Sequence, residues 1–168
     1  MDYEAELARQ AVESYVRTGA VIEVPAEAPD RLLKPAGVFV SLKDHGRLRG
    51  CIGTIAPTEA NAAAEIINSA IMAASQDPRF SPVEPADLTE LTYSVDILGE
   101  PEEAGGPESL DPRRYGCIVE CGGQRGLLLP DLEGVDTPAE QIAICRQKGG
   151  IGPTEPVKLY RFTVERRS

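Results

Sequence analysis

The stretch from Gly37 to Gly53, GVFVSLKDHGRLRGCIG, reads as two strands joined by a turn. In its first half Val38, Val40 and Leu42 alternate with Phe39 and Ser41, the period-two pattern of a strand with both faces partly covered. Asp44-His45-Gly46-Arg47 has turn composition, and Leu48 to Ile55 supplies a returning strand that Pro57 stops. Strands joined by so short a turn are antiparallel neighbours. The returning strand carries a thiol between two glycines, Gly50-Cys51-Ile52-Gly53. Glycine weakens a strand, so its placement points to a close approach of something to the backbone there.

The rest of the chain extends this hairpin. Residues 3–17 form an amphipathic helix, with Leu7, Ala11 and Tyr15 in one row and Ala8, Val12 and Val16 in the next, ended by Gly19. Residues 24–36 hold three prolines and read as a loop. A helix is expected over 59–75, capped by Thr58, with a narrow face of Ala60, Ala63, Ala64, Ile67, Ile71 and Ala74 that packs beneath the Cys51 strand. Asp77-Pro78-Arg79-Phe80-Ser81-Pro82 breaks it, and 91–98 alternates as a strand. Residues 99–109 read as an exposed loop. Gly116–Cys121 and Gly126–Leu129 flank Gly122-Gly123-Gln124-Arg125 as a second hairpin. Thr137-Pro138-Ala139-Glu140 has capping-box spacing with proline at the first helical position, opening a helix to about Lys148, closed by Gly149. Leu159 to Glu165 forms a last strand.

Hairpins outnumber any βαβ pattern, so the fold class is α+β, a mainly antiparallel sheet flanked by helices. Residues 1–168 read as one domain. The stretches 24–36 and 99–109 are where a small N-terminal lobe would separate from the remainder.

Net charge is -10 over 168 residues. Such a surface repels phosphate backbones and argues against nucleic-acid binding. The N-terminus opens with Asp2, Glu4 and Glu6 rather than a basic segment and apolar core, and no apolar run is long enough to span a bilayer. A cytoplasmic protein is expected, with no membrane contact. Cys51, Cys117, Cys121 and Cys145 are then expected as free thiols.

Cys51 is the candidate catalytic residue. Arg49 lies two residues away, on the same face of a regular strand, where a guanidinium would stabilise a thiolate; Arg79 is the other candidate cation. His45 is six residues from Cys51, about 20 Å along a strand at roughly 3.3 Å per residue, so a Cys–His pair needs a sharp bend. The plainer reading makes Cys51 a small apolar core residue. Cys117 and Cys121, about 13 Å apart at the same rise, are too far apart to share a zinc ion, and no metal is expected. The G-x-G-x-x-G fingerprint is absent, and no cofactor is expected. Asp77-Pro78-Arg79-Phe80 reads either as an anion clamp at Arg79 or as a helix stop, with Phe80 in the core and Arg79 capping carbonyls.

The order GVFVSLK, LRGCIG, a helix, DPRFSPV, YSVDIL, GGQRGLLLP, TPAEQ and KLYRFTVE resembles the AMMECR-type domain over about residues 3–165. Lys148-Gly149-Gly150-Ile151 stands where that family usually reads Lys-Ala-Gly-Ile or Leu. The resemblance implies an α+β protein of two closely packed lobes, with a groove lined in part by Leu48, Gly50, Ile52 and Gly53 around Cys51. It makes Asp77, Arg79 and Phe80 a second signature. It transfers no catalytic residue. It implies Memo-type and radical-enzyme proteins as partners. Two functions stay open: an enzyme, or a subunit of an enzyme system, acting on a small molecule through Cys51; and a binding or adaptor module in which LRGCIG packs a groove.

Overall fold

The Gly37–Gly53 stretch folds as a hairpin. In the computed structural model, which describes residues 1–168, β1 (Val38–Asp44) runs antiparallel to β2 (Arg47–Gly53). The turn residues His45 and Gly46 have φ of 49° and 79°, the two positive values that a tight hairpin turn needs to match strand twist. β3 (Leu91–Leu98) pairs antiparallel with the other side of β1, and β8 (Val164–Arg167) follows, giving the order β2-β1-β3-β8. β4 (Glu102–Ala104), β5 (Gly116–Cys121), β6 (Gln124–Leu128) and β7 (Lys158–Phe162) form a second sheet in the order β4-β7-β5-β6, with antiparallel pairings throughout. The chain is α+β.

The chain divides into two compact units, residues 1–98 with 165–168, and residues 99–164. The division falls at Gly99, where the second loop begins, and the N-terminal unit is the larger. The proline-rich 24–36 stretch separates nothing; it lies inside the first unit, where Leu32 is fully buried.

In the first unit, α1 (Tyr3–Thr18) and α2 (Ala62–Ser75) pack on one face of the sheet. Val38, Val40 and Leu42 of β1, Tyr93 and Val95 of β3, and Leu7, Ala11, Ile66, Ala70 and Ala74 of the helices share one core. α2 is buried on more than the narrow face its sequence suggests, because α1 covers it on one side and β1 and β2 on another. Its cap is Asn61, whose side chain accepts from the Ala64 N–H at 2.8 Å. Thr58 does a different job: its N–H and hydroxyl donate to the buried Glu65 carboxylate at 2.5 and 2.7 Å, tying the preceding loop to the helix.

In the second unit, α3 (Pro138–Gly149) packs on β5 and β6. Thr137 caps it through the Glu140 N–H, and Gly150, at φ 68°, ends it one residue later than the sequence suggests. Cys117, Val119, Leu128 and Cys145 lie in its core. Two sequence expectations are corrected. The loop over 99–109 contains β4, with Ala104 buried. The single last strand is two, β7 beside β5 and β8 beside β3, broken at Thr163, so one alternating run serves two sheets. No helix is long and apolar enough to cross a membrane.

Candidate functional site

Strand phase decides which way each residue of LRGCIG faces. Gly50 and Ile52 face the helices. A Cβ at Gly50 would lie 2.2 Å from the Ala73 carbonyl oxygen of α2, and Ile52 packs against the core. Cys51 therefore points to the opposite face. Its Sγ receives the Ser41 hydroxyl at 3.3 Å, across the Ser41–Cys51 pair of the β1–β2 register. Ser41 pairs in turn with Ser94 of β3, so Cys51, Ser41 and Ser94 form one row across three strands, all half-buried. The next row is Gly53, Phe39 and Asp96. Phe39 fills the space beside Gly53, where a Cβ would stand 2.6 Å from its ring. Asp96 is buried and takes the Arg166 guanidinium side-on, at 2.7 and 2.8 Å.

The glycines thus admit the α2 backbone and the Phe39 ring. Their closeness is internal packing, which by itself accounts for both glycines. Ile52 is on the core side too, and Leu48 is exposed. Of the signature's six residues, Cys51 alone combines a reactive atom with the face away from the helices.

The second signature meets the first at this residue. Asp77 follows α2, and its carboxylate accepts the Cys51 N–H at 3.0 Å. The same carboxylate accepts the Arg79 N–H at 3.1 Å and is gripped by Arg79 Nε at 3.0 Å and Nη2 at 2.8 Å. Nη2 also reaches the Cys51 carbonyl at 3.5 Å. β2 is an edge strand, and this carboxylate–guanidinium pair covers the outward N–H and C=O of Cys51 as a neighbouring strand would. The Asp77 side chain is 3% exposed. The Arg79 guanidinium beside it, with the Cys51 and Arg79 N–H groups, holds its carboxyl well below the usual carboxylate range against the opposing effect of burial. Asp77 in turn raises the Arg79 guanidinium above its ordinary value.

Arg49 does not stand beside Cys51 as the regular spacing predicts. Leu42 pairs with Gly50 but Lys43 pairs with Leu48, so Arg49 is the extra residue of a β-bulge. The bulge re-aims its side chain, which is 18% exposed. It donates to the carbonyls of Ser81 and Pro82 at 2.7 and 3.3 Å and lies 3.6 Å from Asp87. Arg49 fastens the loop after Phe80 to β2; Arg79 is the guanidinium that reaches Cys51, at its backbone carbonyl. Neither reading of the DPRF run holds whole. Arg79 caps no helix carbonyl, and Phe80 is half-buried with the Arg79 guanidinium 5.4 Å from its ring centre. His45 is turned away from Cys51 at the hairpin tip, against Asp44 at 2.5 Å and Glu90 at 3.1 Å.

The remaining cysteines differ. Cys117 and Cys145 are both fully buried in the second unit, and the Cys145 thiol donates to the Cys117 carbonyl at 3.5 Å. The neighbouring Cys145 thiol, and then burial, push the Cys117 thiol well above its ordinary value. Cys121 is half-buried. All four are free thiols. No three His, Cys, Asp or Glu side chains converge with metal-binding geometry.

Sequence reasoning missed Ser41, Ser94, Asp96 and Arg166. Two signals were present: Ser41 occupies an off-core position opposite the Cys51 strand, and Asp96 interrupts the apolar run YSVDIL. A charge inside such a run needs a partner of opposite charge.

Comparison with known proteins agrees with this architecture. The AMMECR1 family model matches residues 5–167. A Thermotoga maritima protein is 52% identical over 160 residues, covering 94% of this chain and 92% of its own length. A Clostridium acetobutylicum protein is 46% identical across 98% of this chain, which spans only 36% of that relative. The crystal structure of an uncharacterized protein from Pyrococcus horikoshii matches with a TM-score of 0.89 at 36% identity, over 98% of this chain and 88% of that one. The chain belongs to the AMMECR1 family.

Proposed function

We propose that this AMMECR1-family protein is an enzyme, or a subunit of an enzyme system, that acts in the cytoplasm on a small molecule through the Cys51 thiol. The observation that carries the reading is the meeting of both sequence signatures at one residue. The Cys51 N–H and C=O are held by Asp77 and Arg79, while its sulfur takes the Ser41 hydroxyl on the face away from the helices. A thiol used as core filler needs no such fixing. A nucleophile does, because a reacting atom works only when its position is set in advance. The Ser41 hydroxyl is a donor that can stabilise a thiolate, and the exposed Arg79 guanidinium supplies the cation. Asp77 is a positioning residue in this scheme, acting through the Cys51 N–H and Arg79.

Incubation of the native protein with a cell metabolite extract tests it. The expected result is a discrete adduct on Cys51, or depletion of a metabolite, in both cases lost in Cys51→Ser. An extract profile identical for the native protein and the variant, with no adduct, would sink the proposal.

The second reading, a non-catalytic adaptor working with Memo-type and radical-enzyme partners, draws support from the Clostridium relative, where the matched region is about a third of a longer chain. It predicts that Cys51→Ser keeps partner capture and biological activity.

A further inference from the structure

We infer that the molecule acted on at Cys51 is a small anion, and that its carboxylate or phosphate seats on Arg79. The inference rests on the reading of Cys51 as the reacting thiol and adds the chemical class of what reaches it.

The Asp77–Arg79 pair is asymmetric. Its negative member is 3% exposed and its positive member 57%. Both carboxylate oxygens are already used: Oδ2 by the Cys51 N–H and Nη2, Oδ1 by the Arg79 N–H and Nε. An arriving molecule therefore meets the cationic end of the pair. The side-on grip on Nε and Nη2 leaves Nη1 without a protein partner. The Phe80 ring supports the guanidinium at 5.4 Å. A planar guanidinium fixed by a buried carboxylate needs little further ordering to bind an anion, and its fork matches carboxylate and phosphate oxygens.

The location is set by the Nη2 contact to the Cys51 carbonyl, which holds the guanidinium at the very residue that bears the thiol. The other nearby guanidinium is not available for this, because Arg49 is spent on Ser81, Pro82 and Asp87. Its contribution is to fasten the loop that carries Arg79. The net charge of -10 adds selectivity. A general anion attractor would be basic over a wide area, whereas a guanidinium fixed at one residue of a net-acidic chain suits a small anion, and the net charge disfavours a nucleic acid.

Paired alkylation of the native protein tests this. Iodoacetate and iodoacetamide both form a carbon–sulfur bond as iodide leaves, with the thiol proton released to solvent, and they differ in carrying a carboxylate or a neutral amide. The rate ratio at Cys51, read by peptide mass spectrometry, is compared with that of N-acetylcysteinamide in the same tube. A guanidinium about 4 Å from the reagent's carboxylate should raise the iodoacetate preference at Cys51 about fivefold over the free thiol. Arg79→Gln should abolish the excess and Arg79→Lys should keep part of it. On the unaltered protein, succinate or inorganic phosphate should slow iodoacetate at Cys51 more than iodoacetamide; whichever protects at lower concentration identifies the anion. If Cys51 reacts with both reagents at the free-thiol ratio, and neither anion protects, the anion assignment is overturned while the thiol reading stands. If Cys51 reacts with neither reagent, both fall together.

Discussion

The two sheets use the same packing device and put cysteine to opposite uses. In each, a glycine on an edge strand lets a helix backbone come close: Gly50 of β2 against the Ala73 carbonyl, and Gly126 of β6 against the Cys145 carbonyl, where an added Cβ would lie 2.2 and 1.8 Å away. In the second unit the cysteines Cys117 and Cys145 sit on the helix side and are sealed. In the first, Cys51 is one residue out of phase with the packing glycine and faces away. A single step along a strand turns the same side chain from filler to candidate nucleophile. What surrounds each cysteine follows suit: another thiol and aliphatic carbon in one case; in the other a hydroxyl on the sulfur, with a buried carboxylate and a guanidinium on the backbone.

The largest effect should come from filling the shared device. Gly50→Ala and Gly126→Ala each force a methyl into a backbone carbonyl and should cost about 3 kcal/mol or more. That is a Tm drop of roughly 9 °C for a domain of this size by scanning calorimetry. Unchanged melting of either variant would break the parallel between the sheets.

Asp77→Ala strands the Cys51 N–H and releases Arg79, and should cost about 2–3 kcal/mol in chemical denaturation. Asp77→Asn adds a pH signature. The carboxyl is held low in the folded state against about 3.9 when unfolded. Its stabilisation is therefore fully present above pH 4 and is lost as pH falls below it. The stability gap between wild type and Asp77→Asn should shrink through that acid window. A gap constant from pH 7 to pH 3 would contradict the assignment.

Serine exchange sharpens the contrast between thiols. Cys145→Ser puts a hydroxyl into a sealed core and should cost about 1–2 kcal/mol, while Cys51→Ser, already beside the Ser41 hydroxyl, should cost less than about 0.5. Equal losses would mean that both cysteines are filler. The smallest effect should be that of His45→Ala, which should leave Cys51 alkylation rates unchanged, because His45 engages Asp44 and Glu90.

Most elements were legible because their periodicity is local. The hairpin at His45-Gly46, the Gly19 helix end and the Thr137 cap each depend on a few adjacent residues. Cys51 stood out as a candidate for the same reason, a thiol between two nearby glycines. Its surroundings were not legible, because they depend on register. The bulge that turns Arg49 away is one extra residue, invisible in a strand whose two faces are both mixed. The Asp77 contact joins residues 26 apart in sequence, and the Ser94 row requires knowing that β3 pairs with β1. The split of the last strand is hidden too, since Tyr160, Phe162 and Val164 alternate without a break.

Native-state alkylation with iodoacetamide, followed thiol by thiol, tests the central contrast most directly. The account predicts that Cys51 is modified within minutes in the folded protein, while Cys117 and Cys145 are modified only as fast as the protein unfolds. Cys51 reacting as slowly as Cys145 would contradict it.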